Sequence, residues 1–262
     1  MAKTPAAPDL GLLRIEFTDG FSSGKAMNLV QANFLFGNGY LPLEGFHLKK
    51  QITAIRGQLH DEVNRLSSRR GGQGSASSLQ KLPVFQQIGK LSALVKVPGL
   101  HEALSTPELI DCITRLGGRP PSAIQETQLL LSPPNQGAST LENLNWHVDI
   151  AANPKGPLPG IQAFFLIDDV APGGGATLAL AGSHRVDTQG MPTSSRLREV
   201  LKTPGDLRGN LHRLGIEIIE MSGRAGDVFL MDLRVLHTPS VNSTKNVRMM
   251  ATTRFFFDGP SR

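Results

Sequence analysis

The stretch NWHVDI, residues 145–150, sets an imidazole and a carboxylate two positions apart, at His147 and Asp149, with Val148 between them. The segment reads as a β-strand, and in a strand residues i and i+2 project from the same face. His147 and Asp149 are therefore expected to point together while Val148 faces away. A histidine and a carboxylate on one face make two-thirds of the facial triad that holds non-haem Fe(II) and leaves its other coordination positions open. The third ligand is expected to be a histidine on a different strand. His237 ends the run GDVFLMDLRVLH (226–237), where TPSVNSTKN begins to turn the chain; His184, in a Gly-Ser-His turn, competes with it. If the strand ending at His237 and the strand starting at Val247–Arg248 form a hairpin, Arg248 lies beside His237 on the adjacent strand. A buried guanidinium there needs an anion, and its planar fork suits a carboxylate. A metal triad with an arginine behind it is an arrangement for a dicarboxylate, one end on the metal and the other on the arginine.

These spacings carry a family resemblance. An HxD pair, a histidine 90 residues later (237 − 147) and an arginine 11 further on (248 − 237) resemble the phytanoyl-CoA dioxygenase family of Fe(II)/2-oxoglutarate oxygenases. GGGATLALAGSHR (173–185) is similar to that family's Gly-rich stretch ending in a Gly-Ser-His turn. The resemblance covers roughly 125–258. It implies a double-stranded β-helix (jelly roll), with His147, Asp149 and His237 as both iron ligands and catalytic centre. It further implies Arg248 as partner of the distal carboxylate of 2-oxoglutarate, with O2 as second co-substrate. The family often has a serine two residues after the distal histidine; here that position is Pro239, and the serine's role is left unassigned. Halogenases of this type lack the carboxylate ligand, so Asp149 favours hydroxylation. The layout is also similar to hydroxylases of free or N-substituted amino acids.

Further site residues come from strand phase. Gln128 alternates with Glu126 and Leu130, so its amide is a candidate co-substrate contact if that face lines the barrel. Arg254 is in phase with Arg248, which makes it a candidate for substrate contact, with a structural ion pair as the rival reading. SSRRGGQGSASS (67–78) combines Arg69 and Arg70 with flexible glycines. It is expected to be a loop, and as a lid it would bring one of these arginines to a substrate carboxylate; a plain linker is the alternative. His47, His60, His101 and His212 fit surface or structural positions, and Trp146 a packing role.

The elements that must hold these residues divide the chain in two. Residues 46–66 place Ile52, Ile55, Leu59, Val63 and Leu66 at spacings of three and four, an amphipathic helix, with further helical patterns near 80–96 and 107–116. From 125 onward, short strand-like runs (125–132, 161–170, 177–182, 216–223, 226–237, 247–258) alternate with Gly, Pro and Asn clusters, interrupted by one helical insert at 194–203. The expected fold is mainly β with α: a jelly-roll, cupin-like core over 121–262 flanked by N-terminal helices over 1–120, all one domain. GGGATLALAG precedes strand-like sequence and not a helix, so it is no nucleotide-binding fingerprint.

Bulk composition narrows the function class. The chain has 262 residues, 39% hydrophobic and 19% charged, with no apolar run long enough to span a bilayer. It shows no secretory signal, and its single Cys112 sits in a helical pattern as a small buried thiol; a cytoplasmic protein is expected. The net charge of +5 raises nucleic-acid binding, but aromatics are 5% and no binding motif accompanies them. A small-molecule substrate is expected, with no nucleic acid, no membrane, and a homodimer as the candidate assembly. Rival readings are a metal-dependent hydrolase or isomerase on a cupin-like barrel, which has no need of Arg248, and a non-catalytic relative.

Overall fold

The protein, a computed structural model, is described over residues 29–69, 81–186, 193–203 and 206–257. Its first half supplies α1 (Leu29–Asn38), strand β1 (Tyr40–Leu43), α2 (Lys49–Arg69), α3 (Val84–Leu94), α4 (Leu100–Leu104) and α5 (Pro107–Gly117). The second half supplies β2 (Ala123–Ile124), β3 (Gln128–Ser132), β4 (Gly160–Leu166), β5 (Thr177–Ala181), α6 (Thr193–Lys202), α7 (Leu207–Arg213), β6 (Glu217–Glu220), β7 (Val228–Asp232), β8 (His237–Pro239) and β9 (Arg248–Phe256). All strand pairs are antiparallel. The larger sheet runs β1-β7-β4-β9-β2, with β3 also on β9, and the smaller runs β6-β5-β8. This is the jelly-roll core with a helical flank that the strand pattern suggests.

Period-two alternation divides each central strand between two layers. Ile161, Ala163 and Phe165 of β4, and Met249, Ala251 and Phe255 of β9, join the apolar cluster under the helices. Phe164 and Leu166 of β4 and Met250 of β9 face the smaller sheet instead, where they meet Ala179, Ala181 and Ile219. The outer face of the smaller sheet is closed by α6 and α7 through Leu178, Leu180, Leu197, Leu201 and Leu211, with Trp146. The helices follow their sequence logic. In α2, Ile52, Ile55 and Leu59 are buried on one stripe. The Thr106 hydroxyl caps α5 by accepting from the Leu109 amide at 3.4 Å, and Gly118 ends it with φ 68°. Cys112 is buried as expected, and burial pushes its thiol up to about 12, leaving it inert.

Four features depart from the sequence reading. Helix α2 starts later than expected and continues through 67–69, so the expected loop cannot begin at residue 67. The run 226–237 is two strands. It leaves the larger sheet after Asp232, turns over 233–236, and enters the smaller sheet at His237. β8 and β9 are consequently not a hairpin but lie in opposite sheets. Finally, residues 145–150 are not a strand: His147 makes a single bridge to His237, and the Asp149 and Ile150 amides both donate to the Leu233 carbonyl at 3.1 Å.

Candidate active site

His147 and His237 exchange both backbone hydrogen bonds at 2.9 Å, which brings their rings to a centroid separation of 4.3 Å. The Asp149 amide bond to Leu233 ties the carboxylate to the same turn that delivers His237. One ligand atom from each of His147, Asp149 and His237 lies within 4.8 Å of the others, and among the described residues no other group of three or more His, Cys, Asp or Glu does this. The two-residue spacing therefore works without a strand, because the single bridge to β8 supplies the alignment that a full ladder would give.

The donor set fits a divalent metal. His147 Nδ1 lies 3.0 Å from the Asn145 carbonyl and His237 Nδ1 3.0 Å from the Val235 carbonyl. A carbonyl only accepts, so each Nδ1 carries the proton and each Nε2 keeps a bare lone pair. Asp149 is held through Oδ1, which accepts from Arg254 Nη2 at 2.8 Å, while its Oδ2 is buried with no hydrogen bond. His237 Nε2 lies 3.9 Å from that oxygen. Burial pushes His237 down to about 4, and the neighbouring Asp149 charge only partly offsets this, so the ring is neutral at pH 7. Two imidazoles whose Nδ1 atoms are engaged by carbonyls and a carboxylate oxygen without a hydrogen bond thus gather in one place, a donor set that suits a metal.

His147 and His237 line a cavity of about 780 Å³, within the size range of small-molecule sites. Arg248 lines it from the opposite sheet. It is 5% exposed, donates through Nη1 to the Leu130 carbonyl at 2.8 Å, and has a buried Nε without a partner. Burial lowers its guanidinium to about 9, still a cation at pH 7 and without an anion beside it. Gln128 also lines the cavity, opposite Thr252 in the β3–β9 register. Arg254 lines it too, but its guanidinium is occupied by Asp149 and by Gln125 Oε1 at 3.2 Å, the ion-pair alternative. Pro239 lies on the wall; the Thr238 hydroxyl is spent on the Pro239 carbonyl, and Ser240 Oγ is buried without a partner.

Arg70 and the rest of the expected lid lie outside the described residues, as does the Arg69 side chain. His184 lies outside this cluster: it is buried, with Nε2 donating to the Phe36 carbonyl at 3.0 Å. Trp146 packs, donating Nε1–H to the Leu141 carbonyl. The sequence reading passed over His101, which lines the cavity with Nδ1 2.9 Å from Thr127 Oγ1, and buried Gln162. Gln162 was findable. It is the lone polar residue in IQAFFL, in phase with Phe164 on the inner face.

A family model, phytanoyl-CoA dioxygenase (PhyH), matches residues 37–250. No curated protein sequence matches the chain. Among solved structures, the chain is similar to the non-heme alpha ketoglutarate dependent carbocyclase SnoK from nogalamycin biosynthesis, at 19% identity and TM-score 0.59, covering 88% of this chain and 84% of that one. It is likewise similar to iron-bound EctD from S. alaskensis, at 19% identity and TM-score 0.58, covering 89% and 79%. AviO1 from Streptomyces viridochromogenes Tue57 follows at 16% and TM-score 0.56, covering 92% and 99%. At these identities the likeness is one of fold.

Proposed function

The chain belongs to the phytanoyl-CoA dioxygenase family and is an iron- and 2-oxoglutarate-dependent oxygenase; from that premise we propose that it hydroxylates an unactivated C–H of a small, carboxylate-bearing substrate such as a free or N-acylated amino acid. His147, Asp149 and His237 would hold the iron, and Arg248 would receive the distal carboxylate of 2-oxoglutarate. When bound, the iron supplies, with 2-oxoglutarate and O2, the oxidant that takes hydrogen from carbon. The protein's own residues do the rest. Asn145 and Val235 carbonyls fix both imidazoles in the ligating tautomer. Arg254 restrains Asp149 through one oxygen and leaves the other for the metal. Arg248, a desolvated cation on the cavity wall, selects a co-substrate with a second carboxylate. Phe164, whose ring centre lies 6.0 Å from that of His237, keeps one side of the centre dry.

The observation that carries this reading is the pairing of a His/Asp/His cluster with an anion-free buried arginine at one cavity. A cupin-like hydrolase would use the triad alone and leave Arg248 without a purpose. The presence of Asp149 supports hydroxylation over halogenation, because a carboxylate occupies the position a halide would need. A substrate carboxylate would meet Arg69 or Arg70, and Gln128 would contact the co-substrate. The test is anaerobic addition of Fe(II) and 2-oxoglutarate followed by visible absorption, then succinate release screened against amino acids, N-acyl amino acids and acyl thioesters. A metal-to-ligand charge-transfer band is expected in the wild type and lost in His147→Ala and His237→Ala. Full turnover in either variant, with iron supplied, sinks the assignment.

A further inference from the structure

Gln162 and Arg254 sit directly opposite each other in the β4–β9 register, both line the cavity, and each carries a buried polar atom without a partner. On Gln162 that atom is the amide oxygen, Oε1. Its identity is fixed by the network. The Thr252 hydroxyl donates its one hydrogen to the Ala163 carbonyl at 2.9 Å, so it can only accept from Gln162, and the amide nitrogen must be the atom 2.9 Å from it. Gln162 is 2% exposed, so bulk water does not satisfy the oxygen. On Arg254 the unpartnered atom is Nε, a donor, because both terminal nitrogens are engaged by Asp149 and Gln125. A buried acceptor and a buried donor thus belong to paired residues that line the same cavity, each at the cost of an unmade hydrogen bond.

Resting on the oxygenase reading above, we infer that Gln162 and Arg254 form a subsite for a group of the primary substrate that offers a hydrogen-bond donor and an acceptor together, a hydroxyl or a secondary amide. 2-Oxoglutarate cannot fill it, since the ionised co-substrate has acceptors only and Gln162 Oε1 needs a donor. An apolar or ester-linked group cannot fill it either, because it would leave Oε1 unsatisfied. A site built to hydrogen-bond a substrate N–H or O–H rejects the analogue that lacks it. The subsite therefore determines specificity, distinguishing an N-acyl amino acid from its N-methylated counterpart, or a hydroxy acid from the plain acid.

The test uses the full chain loaded with Zn(II) and 2-oxoglutarate, in which nothing turns over, and reads binding by calorimetry. Two matched pairs serve as probes: N-acetylglycine against N-acetylsarcosine, and 3-hydroxybutyrate against butyrate. At least one donor-bearing probe is expected to bind about tenfold more tightly than its donor-free partner. Which pair discriminates tells amide from hydroxyl. In Gln162→Leu that preference is expected to fall to about one. No preference in the wild type (including no measurable binding of any probe), or a preference that survives in Gln162→Leu, overturns the inference, since an ordered water would then account for the two unpartnered atoms. The wild-type comparison stands even if the variant does not fold. Failure of the wild type to bind 2-oxoglutarate in the same experiment is a separate result and removes the oxygenase reading itself.

Discussion

At the scale of single residues, the cavity is lined by two arginines of one strand with different partners. Arg248 and Arg254 share one face of β9 and each leaves its Nε unpartnered, yet one guanidinium has no anion while the other is committed to Asp149. Removing one partner of a buried charge pair costs about 2–5 kcal/mol, so Arg248→Ala should weaken 2-oxoglutarate binding by roughly 30-fold or more. Arg248→Lys should recover only part of this, lacking the fork. An unchanged Kd in Arg248→Ala would show that another cation receives the carboxylate. Arg254 restrains Asp149 instead. Groups that orient ligands are typically worth about 10–100-fold in metal affinity, so Arg254→Leu should lower Mn(II) affinity by that order. An affinity within twofold of the wild type would mean that Asp149 is held by its backbone alone. The phase of both arginines was legible in the sequence. An ion pair was one of the two readings open for Arg254, but its partner was not legible, because Asp149 reaches β9 from more than a hundred residues away.

At the scale of elements, the misplaced strand and hairpin have one physical origin: alternation reports which face a residue takes, not which sheet it belongs to. GDVFLMDLRVLH alternates well enough for one strand, but the chain crosses between sheets over 233–236, where Arg234 closes on Asp232 in a buried ion pair at 2.7 Å. Nothing in the period marks that crossing, so the expected hairpin became an opposition across the cavity. The iron-binding pattern survived the error because it is a matter of residue type and spacing. YLPL escaped notice for another reason: it is four residues long and holds a proline, which fits its place as an edge strand on β7. The Gly-rich stretch was legible as a motif, and its geometry shows why. Gly175 has φ +80°, and a Cβ there would lie 2.7 Å from the Asn242 Cβ and 3.1 Å from its Cα. Asn242 is itself pinned, its amide donating to the Ser132 and Asn246 carbonyls at 3.3 and 2.9 Å. Gly175→Ala combines left-handed strain with overlap and should cost about 2–4 kcal/mol in urea unfolding. A loss below about 0.5 kcal/mol would show that this corner can move aside.

At the scale of the whole molecule, the two sheets and the helical layer share a habit of burying neutral histidines. His47 packs 5.6 Å from the Phe165 ring, where burial lowers it to about 4 and the Glu108 charge offsets only part of that. His237 is lowered to about 4, and His184 is also held down by burial. The direction of the resulting pH dependence follows from proton counting. Each folded pKa lies below the unfolded value near 6.5, so below about 6.5, and down to about 4 for His47 and His237, the unfolded chain binds more protons than the folded one. Stability is therefore fully present above pH 6.5 and falls as pH drops through the window toward 4. Each such group contributes up to about 1.4 kcal/mol per pH unit. Apoprotein melted in EDTA should lose stability steeply between pH 6.5 and 5, before ordinary carboxylates protonate. Bound metal should leave that slope in place and carry it to lower pH, because ligation keeps His237 unprotonated in the fold while the unfolded chain still takes up the proton. His47→Phe should flatten part of the slope with or without metal, since His47 lies against the helical layer, apart from the centre. A melting temperature independent of pH over 5–7 in the apoprotein would mean that these rings are hydrated or already charged in the fold. The triad would then have to be prepared for metal by deprotonation, and not by burial.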